Sequence, residues 1–220
     1  MVASEIKEVI EKAKSEGRKA LLEYEAKIVV SKYGIPVADS YVAKSKEEAL
    51  KIAERLGYPV VLKIVSPDIL HKSDVGGVKV NIKSPEELEK AYDEILENVK
   101  AKAPNARIVG ILVQEMAPQG VEVIVGAVKD PFFGHAIMFG LGGIFVEVLK
   151  DVTFRVVPVT VEDAKEMIKE IKAYPILEGV RGEKPKDIDT IINIITNTSK
   201  MLEELPEIKE LDLNPIFVYE

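Results

Sequence analysis

Apolar positions recur along this chain with two periods, and the changes of period mark where helices give way to strands. Residues 4–16 place Ile6, Val9, Ile10 and Ala13 three to four apart among charges, the spacing of one buried helical stripe, and Gly17 stops it. A second helix is predicted over residues 20–33, with Leu21, Leu22, Ala26, Val29 and Val30 on one side and Gly34 and Pro36 beyond its end. Ser40–Ala43 reads as a short strand. Ser45-Lys46-Glu47-Glu48 sets a capping residue three positions before a carboxylate, so a helix starts there and ends near Gly57. Val60–Val65 is an apolar run rich in β-branched residues, broken by Lys63 alone, the pattern of a buried strand. A polar loop, 66–74, leads to Gly76-Gly77 and a strand over Val78–Ile82. Ser84-Pro85-Glu86-Glu87 combines a cap, a proline at the first position and first-turn acids, and opens a helix that reaches Lys102.

After Pro104-Asn105 the pattern shortens. Residues 109–116, 122–128 and 135–139 are three strand-like runs separated by Pro and Gly turns, and their close spacing predicts antiparallel pairing. Gly140-Leu141-Gly142-Gly143 interrupts them. Thr160-Val161-Glu162-Asp163 begins a helix, a second spans 186–204, and 211–218 closes the chain as strand, turn, strand. The class is α+β, divided into a helical extension over 1–19, a first lobe over 20–105 and a second over 106–220. No fixed-period repeat is present. A cleft between two lobes is a common place for a ligand.

Composition narrows the function. A chain of 220 residues can bury a substantial core. Its net charge of −7 leaves no basic surplus for a nucleic acid. No apolar run is long enough to span a membrane, and the first residues carry no apolar leader. With no Cys, a disulfide scaffold, a thiolate metal site and a catalytic thiol are excluded, and two His do not make a His-rich site. A cytoplasmic location is expected. The absence of Trp and Cys, with Gln only at 114 and 119, is the skew of a thermophile.

Several residues could carry chemistry, each with a plainer alternative. Lys63, inside an apolar strand, either faces an anionic ligand or pairs with a carboxylate at the edge of the core. Gly76-Gly77 either cradles a phosphate with backbone amides or simply turns the chain. His71, in the loop before them, is a competent phosphoryl acceptor or a surface residue. Asp212 and Asn214 alternate along one strand, so they face one side; together they suit Mg²⁺, although an Asx turn before Pro215 accounts for Asn214 as well. Glu115 and Glu122 bracket Pro118-Gln119-Gly120 and could hold ribose hydroxyls, while the backbone of Glu115, Met116 and Ala117 could read an adenine edge; otherwise they are strand-end acids. Arg155 either steadies phosphate charge or pairs with Asp151. His135 reads as a structural or surface strand residue.

In order along the chain, the segments Leu22–Lys27, Tyr33–Val37, Gly57–Lys63, Ser66–Val78, Gly140–Glu147 and Glu210–Pro215 resemble the β subunits of ADP-forming acyl-CoA synthetases, of the succinyl-CoA synthetase-like superfamily. The loop around His71 is the most specific part. The resemblance implies an ATP-grasp fold, two α+β lobes with the nucleotide in the cleft between them. It implies reversible conversion of acyl-CoA, ADP and phosphate to acid, CoA and ATP, with Mg²⁺ as cofactor and ATP or ADP as substrate. His71 would carry the phosphoryl group. Lys63, and Lys27 of the earlier segment, would contact nucleotide phosphates near Gly76 and Gly77. Glu115 to Ala117 would form the adenine hinge, Glu122 would bind ribose, Asp212 and Asn214 would hold Mg²⁺, and Arg155 would stand near the transferring phosphate. Relatives often continue past the Asn-Pro segment with another Asp near the metal, whereas this sequence stops at Glu220. CoA binding, acyl-phosphate formation and a first phosphorylated His would belong to an α subunit in an α₂β₂ assembly, and His71 would be a second His that carries the group towards ADP. Two other readings stay open: a different ATP-grasp carboxylate ligase, which would not need His71, and a regulatory nucleotide-binding module.

Overall fold

The computed structural model describes residues 2–143, 146, 148–180 and 182–220. Part of the Gly140–Glu147 segment, namely Ile144, Phe145 and Glu147, lies outside the described residues. The chain forms two compact units, Met1–Lys32 with Val37–Ala117, and Tyr33–Pro36 with Pro118–Glu220.

In the first unit, α1 (Val2–Ser15), α2 (Glu23–Lys32), α3 (Lys46–Leu56) and α4 (Pro85–Lys102) accompany β1 (Ser40–Ala43), β2 (Val60–Val65), β3 (Val78–Ile82) and β4 (Gly110–Glu115). The caps sit where the sequence puts them: Ser45 and Ser84 each accept an N–H three residues on, and Pro85 occupies the first turn of α4. The strands form an antiparallel sheet in the order β1-β4-β2-β3. Alternation divides its residues between two faces. Leu62, Ile64, Ile111 and Val113 bury against Ala49, Ala53, Leu88, Ile95 and Val99 of α3 and α4. The other face carries Lys63, Gln114 and Ser40, and beside them Val65, Leu112 and Val42 pack under Leu22 and Tyr24 at the start of α2. One strand thus serves a dry core on one side and presents a lysine on the other.

In the second unit, β5 (Val121–Asp130), β6 (Gly134–Leu141), β7 (Val152–Val156) and β8 (Glu210–Val218) form an antiparallel sheet in the order β7-β6-β5-β8. The helices are α5 (Val161–Glu170), α6 (Tyr174–Glu178) and α7 (Ile188–Glu204). Thr160 and Asp163 close a reciprocal capping box at the start of α5. Ile137 and Phe139 are fully buried on the face covered by helices. The opposite face shows Glu122, Gly126 and Val128 of β5, Met138 of β6, Phe154 of β7 and Asp212 of β8. His135 is buried and its Nε2 meets the Ile208 carbonyl at 2.6 Å, in keeping with a structural role. Among the described residues no helix is long and apolar enough to cross a membrane.

Four features differ from expectation. The first unit ends at Ala117, not at 105, because β4 is an interior strand of the first sheet, bonded to β1 and β2. The glycine run does not end β6 at Phe139: Gly140 stays in the strand, where a Cβ would come within 2.7 Å of the Asp151 carbonyl, so glycine permits a close approach there. β7 and the short α6 add two elements. The C-terminal segment is one strand, paired with β5 on both sides of a register shift near Asn214-Pro215.

Candidate active site

The start of α2 organises the first unit's polar face. Glu23 and Lys27 lie one helical turn apart and so share a side. One Glu23 carboxylate oxygen accepts from Lys63 Nζ at 2.6 Å and the other meets Lys72 Nζ at 3.1 Å. Lys63 Nζ also donates to Gln114 Oε1 at 3.3 Å. Lys27 Nζ donates to the same oxygen at 2.6 Å, to Ser40 Oγ at 3.1 Å and to the Ala38 carbonyl at 3.3 Å. These side chains are largely enclosed, with Lys27 19%, Lys63 24%, Lys72 24% and Glu23 21% exposed.

Three ammonium groups gather at Glu23 in a half-dry setting, where charge acts strongly, and the Glu115 and Asp39 carboxylates act on Lys27 as well. Burial pushes the Lys27 ammonium down to about 8; nearby Glu23 opposes the shift and Lys63 adds to it. Between that value and the ordinary 10.5 the unfolded chain holds more protons at this position than the folded one, so the cost of burying Lys27 shrinks as pH rises through that window. Burial alone would push the Glu23 carboxyl up, but Lys63 and then Lys72 outweigh it and hold it below its ordinary range. The arrangement suits a polyphosphate, whose oxygens accept charge-assisted hydrogen bonds from lysine.

Lys72 belongs to the loop that carries His71. The loop's two ends are fixed. At the first, Ile69 enters the core and the Asp68 carboxylate takes the Arg107 guanidinium at 2.8 and 3.0 Å and the Arg107 N–H at 2.7 Å. At the second, a Cβ on Gly77 would fall 2.5 Å from Ile64 Cγ2, and one on Gly76 2.8 Å from Asn98 Nδ2. The Gly76 N–H donates to the Ser73 carbonyl and the Gly77 N–H to the Lys72 carbonyl. Both amides are therefore engaged within the loop, and close packing accounts for both glycines. Between these ends Leu70, His71, Ser73 and Asp74 are exposed.

At the end of β4 the Glu115 carboxylate accepts the Asp39 N–H at 2.8 Å, while the Glu115 and Met116 amides donate to the carbonyls of Asp39 and Pro59. Ala117 keeps a backbone N–H that has no partner among the described residues.

In the second unit Glu122, Asp212 and Asn214 are exposed, and Glu122 and Asp212 share the sheet face away from the helices. Among the described residues the Asp212 and Asn214 side chains make no hydrogen bond, and no group of three or more His, Cys, Asp or Glu gathers as a metal site. Two oxygen donors fit Mg²⁺ nonetheless, since that ion takes one or two protein oxygens and completes its shell from phosphates and water. Arg155 is on the opposite face from Asp212: its guanidinium meets Glu170 at 2.6 and 3.1 Å and Glu166 at 3.5 Å, both on α5. The expected partner Asp151 instead accepts the N–H groups of Lys172 and Ala173, both at 2.8 Å. Arg155 is thus occupied as a structural ion pair, which removes the ground for placing it near a phosphate. Sequence reasoning passed over Glu23, Lys72 and Gln114; the four-residue interval from Glu23 to Lys27 was the one signal for the first.

A family described as an ATP-grasp domain matches residues 12–220. The β subunit of acetate–CoA ligase (ADP-forming) II from Pyrococcus furiosus is 57% identical over 96% of this chain and 90% of its own length. Acetate–CoA ligase (ADP-forming) I of Archaeoglobus fulgidus is 53% identical over 97% of this chain but only 31% of its own length. Structures of the dinucleotide forming acetyl-coenzyme A synthetase 1 of Candidatus Korarchaeum cryptofilum superpose closely. One holds coenzyme A and Mg-AMPPCP with a phosphohistidine segment pointing towards the nucleotide binding site; its TM-score is 0.85, with 50% identity over 97% of this chain and 93% of that one. Another has that segment phosphorylated in a site I orientation, with a TM-score of 0.90 and 53% identity over the same shares, 97% and 93%. By fold and by similarity over nearly its whole length, the chain belongs to the ATP-grasp family formed by the β subunits of ADP-forming acetate–CoA ligases.

Proposed function

We propose that this chain is the nucleotide-binding half of an acid–thiol ligase that converts acyl-CoA, ADP and phosphate reversibly to acid, CoA and ATP. The observation that carries the reading is an exposed His71 on a loop fixed at both ends, next in sequence to Lys72, whose ammonium joins those of Lys63 and Lys27 at Glu23. A His of the α part takes the phosphoryl group from the acyl phosphate as the bond to the carboxylate oxygen breaks and the acid leaves; a neutral His71 nitrogen then attacks that phosphohistidine, whose P–N bond breaks to restore the first imidazole. The terminal oxygen of ADP then attacks the phosphohistidine, the P–N bond breaks, and ATP forms with imidazole restored.

Lys27 and Lys63 take the nucleotide phosphates, and Gly76 and Gly77 do not, because their amides are engaged. The Ala117 N–H, with adjoining backbone of Glu115 and Met116, reads the adenine edge, and Glu122 binds ribose. Asp212 and Asn214 hold Mg²⁺, which when bound neutralises phosphate charge. CoA binding and acyl-phosphate formation fall to an α subunit, in an α₂β₂ assembly in the cytosol. The Pyrococcus relative is named as a β subunit, and the Archaeoglobus relative carries its matching part within a much longer chain, which supports such a partner.

The test is to incubate the chain with its co-expressed partner, Mg²⁺ and γ-labelled ATP, and to map the label. Acid-labile, alkali-stable label on the peptide containing His71 is expected. Nucleotide bound with no label on that peptide would refute the relay.

The depressed Lys27 ammonium gives a separate prediction. Phosphate oxygens favour its charged form, so nucleotide binding raises its pKa and draws in a proton when pH lies just above about 8. Calorimetric titration with ADP at a pH slightly above 8, in buffers of different ionisation heat, should show net proton uptake. Lys27→Arg, whose guanidinium is charged throughout, should abolish that uptake. Equal uptake in the variant would move the titrating group elsewhere.

A further inference from the structure

The hairpin between β5 and β6 turns through Asp130-Pro131-Phe132-Phe133-Gly134 and leaves two aromatic side chains in water: Phe132 is 89% and Phe133 74% exposed. The turn itself is pinned. One Asp130 carboxylate oxygen accepts the Phe132 N–H at 2.7 Å and the Phe133 N–H at 2.9 Å, and Gly134 takes a φ of +79° that a side chain would strain. Its backbone is therefore ordered before anything binds, which lowers the cost of binding.

Apolar surface continues from the turn on to the sheet. Cross-strand register places Val128, Ala136 and Val156 in one row and Gly126, Met138 and Phe154 in the next, on the face away from the helices. Val128, Val156 and Phe154 are each about half exposed. The second row runs on through Gly126 to Asp212 of β8, a candidate ligand of Mg²⁺. An aromatic side chain carries about 150–250 Å², so the turn and the two rows together offer about 500 Å² of apolar surface. That is the scale of the apolar centre of an interface burying about 800 Å² on each partner.

We propose that the Phe132-Phe133 turn, with the apolar rows beside it, is the surface on which the α subunit docks. The proposal rests on the reading of this chain as the nucleotide-binding half of a two-part enzyme. Two observations favour that occupant over a second copy of the chain. The matching part of the Archaeoglobus relative is 31% of its own length, so there a domain like this one is made joined to a larger companion. The patch also leads along one sheet row to Asp212. A partner that hands over a phosphoryl group must come to rest beside the metal ligands, and a second copy of this chain brings no such donor. The two rings then act as anchors in an apolar hollow of the α subunit, with the polar strand end around them as the rim.

The test uses the full chain co-expressed with its α subunit. Dissociation of the purified complex is followed by sedimentation over a dilution series. Wild type is compared with the double variant Phe132→Asp, Phe133→Asp, and with Val161→Asp, which changes an exposed apolar residue at the first position of α5. The double variant should weaken the complex at least about 30-fold, the scale of an aromatic anchor, and the control by less than about twofold. ADP affinity and the unfolding midpoint of the free chain should not change, because exposed rings support neither. Turnover of the double variant should fall in dilute enzyme and return to within about twofold of wild type when α subunit is added in excess, which separates docking from catalysis. Should aspartate disturb the turn and lower the midpoint, Phe132→Ser with Phe133→Ser decides by the same criteria. Weakening of less than about 30-fold, or an equal loss in the control, overturns the proposal. A free chain that is dimeric as wild type and monomeric in the variant gives the patch to a second copy and overturns it as well. A wild-type chain that forms no complex sinks the two-subunit reading itself. A wild-type complex indifferent to both phenylalanines sinks only the docking surface.

Discussion

His71→Ala is expected to lower turnover in the complete enzyme by at least about 10⁴-fold, some 5 kcal/mol of barrier, while ADP affinity stays within about twofold. The magnitude follows from what the substitution removes. A covalent relay divides one difficult transfer into two, and alanine leaves no nitrogen to accept the group. No neighbour substitutes: Lys72 is bound as an ammonium to Glu23 and has no lone pair to offer, and Ser73 and Asp74 lack a base among the described residues. Affinity is spared because the His71 side chain is exposed and makes no hydrogen bond among the described residues, while the lysine cluster keeps its geometry through Glu23 and Gln114. For the same reason the unfolding midpoint should stay where it is. Steady-state assay of acyl-CoA-dependent ATP formation, with ADP binding by calorimetry, checks both halves. Retained turnover would favour an ATP-grasp ligase that transfers directly from a bound acyl phosphate.

Much of the fold is legible because it is written locally. Ser45, Ser84-Pro85 and Thr160 with Asp163 start helices where their side chains satisfy first-turn amides, and such signals need no knowledge of the rest of the chain. Strand partners are not local. Residues 110–115 read as a strand, but nothing nearby says that they insert between β1 and β2 and so belong to the first unit. β7 escapes for a different reason. Val152-Thr153-Phe154-Arg155-Val156 does alternate, but Phe154 and Val156 are on the exposed side while Thr153 and Arg155 face helices, the reverse of the usual polarity.

The site divides along similar lines. Lys63 is conspicuous because an ammonium interrupts an apolar strand, and the structure shows the plainer of its alternatives, a pair with the Glu23 carboxylate. Glu23 is inconspicuous, since a glutamate on a charged helix looks like any solvated residue until Lys63 and Lys72 are brought to it across 40 and 49 positions of chain. Arg155 misled because the nearest acid in sequence, Asp151, has two backbone amides to satisfy, which leaves the guanidinium to the acids of α5.

Arg18→Met should cost about 3–5 kcal/mol at neutral pH. Arg18 and Glu25 are nearly enclosed, their side chains 5% and 3% exposed, and they meet in a bidentate pair at 2.7 and 2.9 Å. Glu25 also accepts the Leu22 N–H at 2.9 Å, which fixes the first turn of α2 and with it the positions of Glu23 and Lys27. Methionine fills the space of the arginine stem but leaves a buried carboxylate with one amide and a distant phenol. The signature lies in the pH dependence. In the wild type burial pulls the Glu25 carboxyl up, but the Arg18 hydrogen bonds, with the Leu22 amide, outweigh it and hold it below the ordinary 4.5. Its contribution is present above that value and is lost as pH falls through the lowered one. Without Arg18 burial prevails and the folded carboxyl rises above 4.5. The folded state then binds more protons than the unfolded between those values, so this contribution grows as pH falls. Urea unfolding should show the deficit of Arg18→Met shrinking between pH 7 and about pH 5. Arg18→Met combined with Glu25→Leu, which removes both charges, should recover most of the loss at neutral pH. A deficit independent of pH, or one that the second substitution deepens, would mean that lost packing around the arginine stem dominates and not the stranded charge.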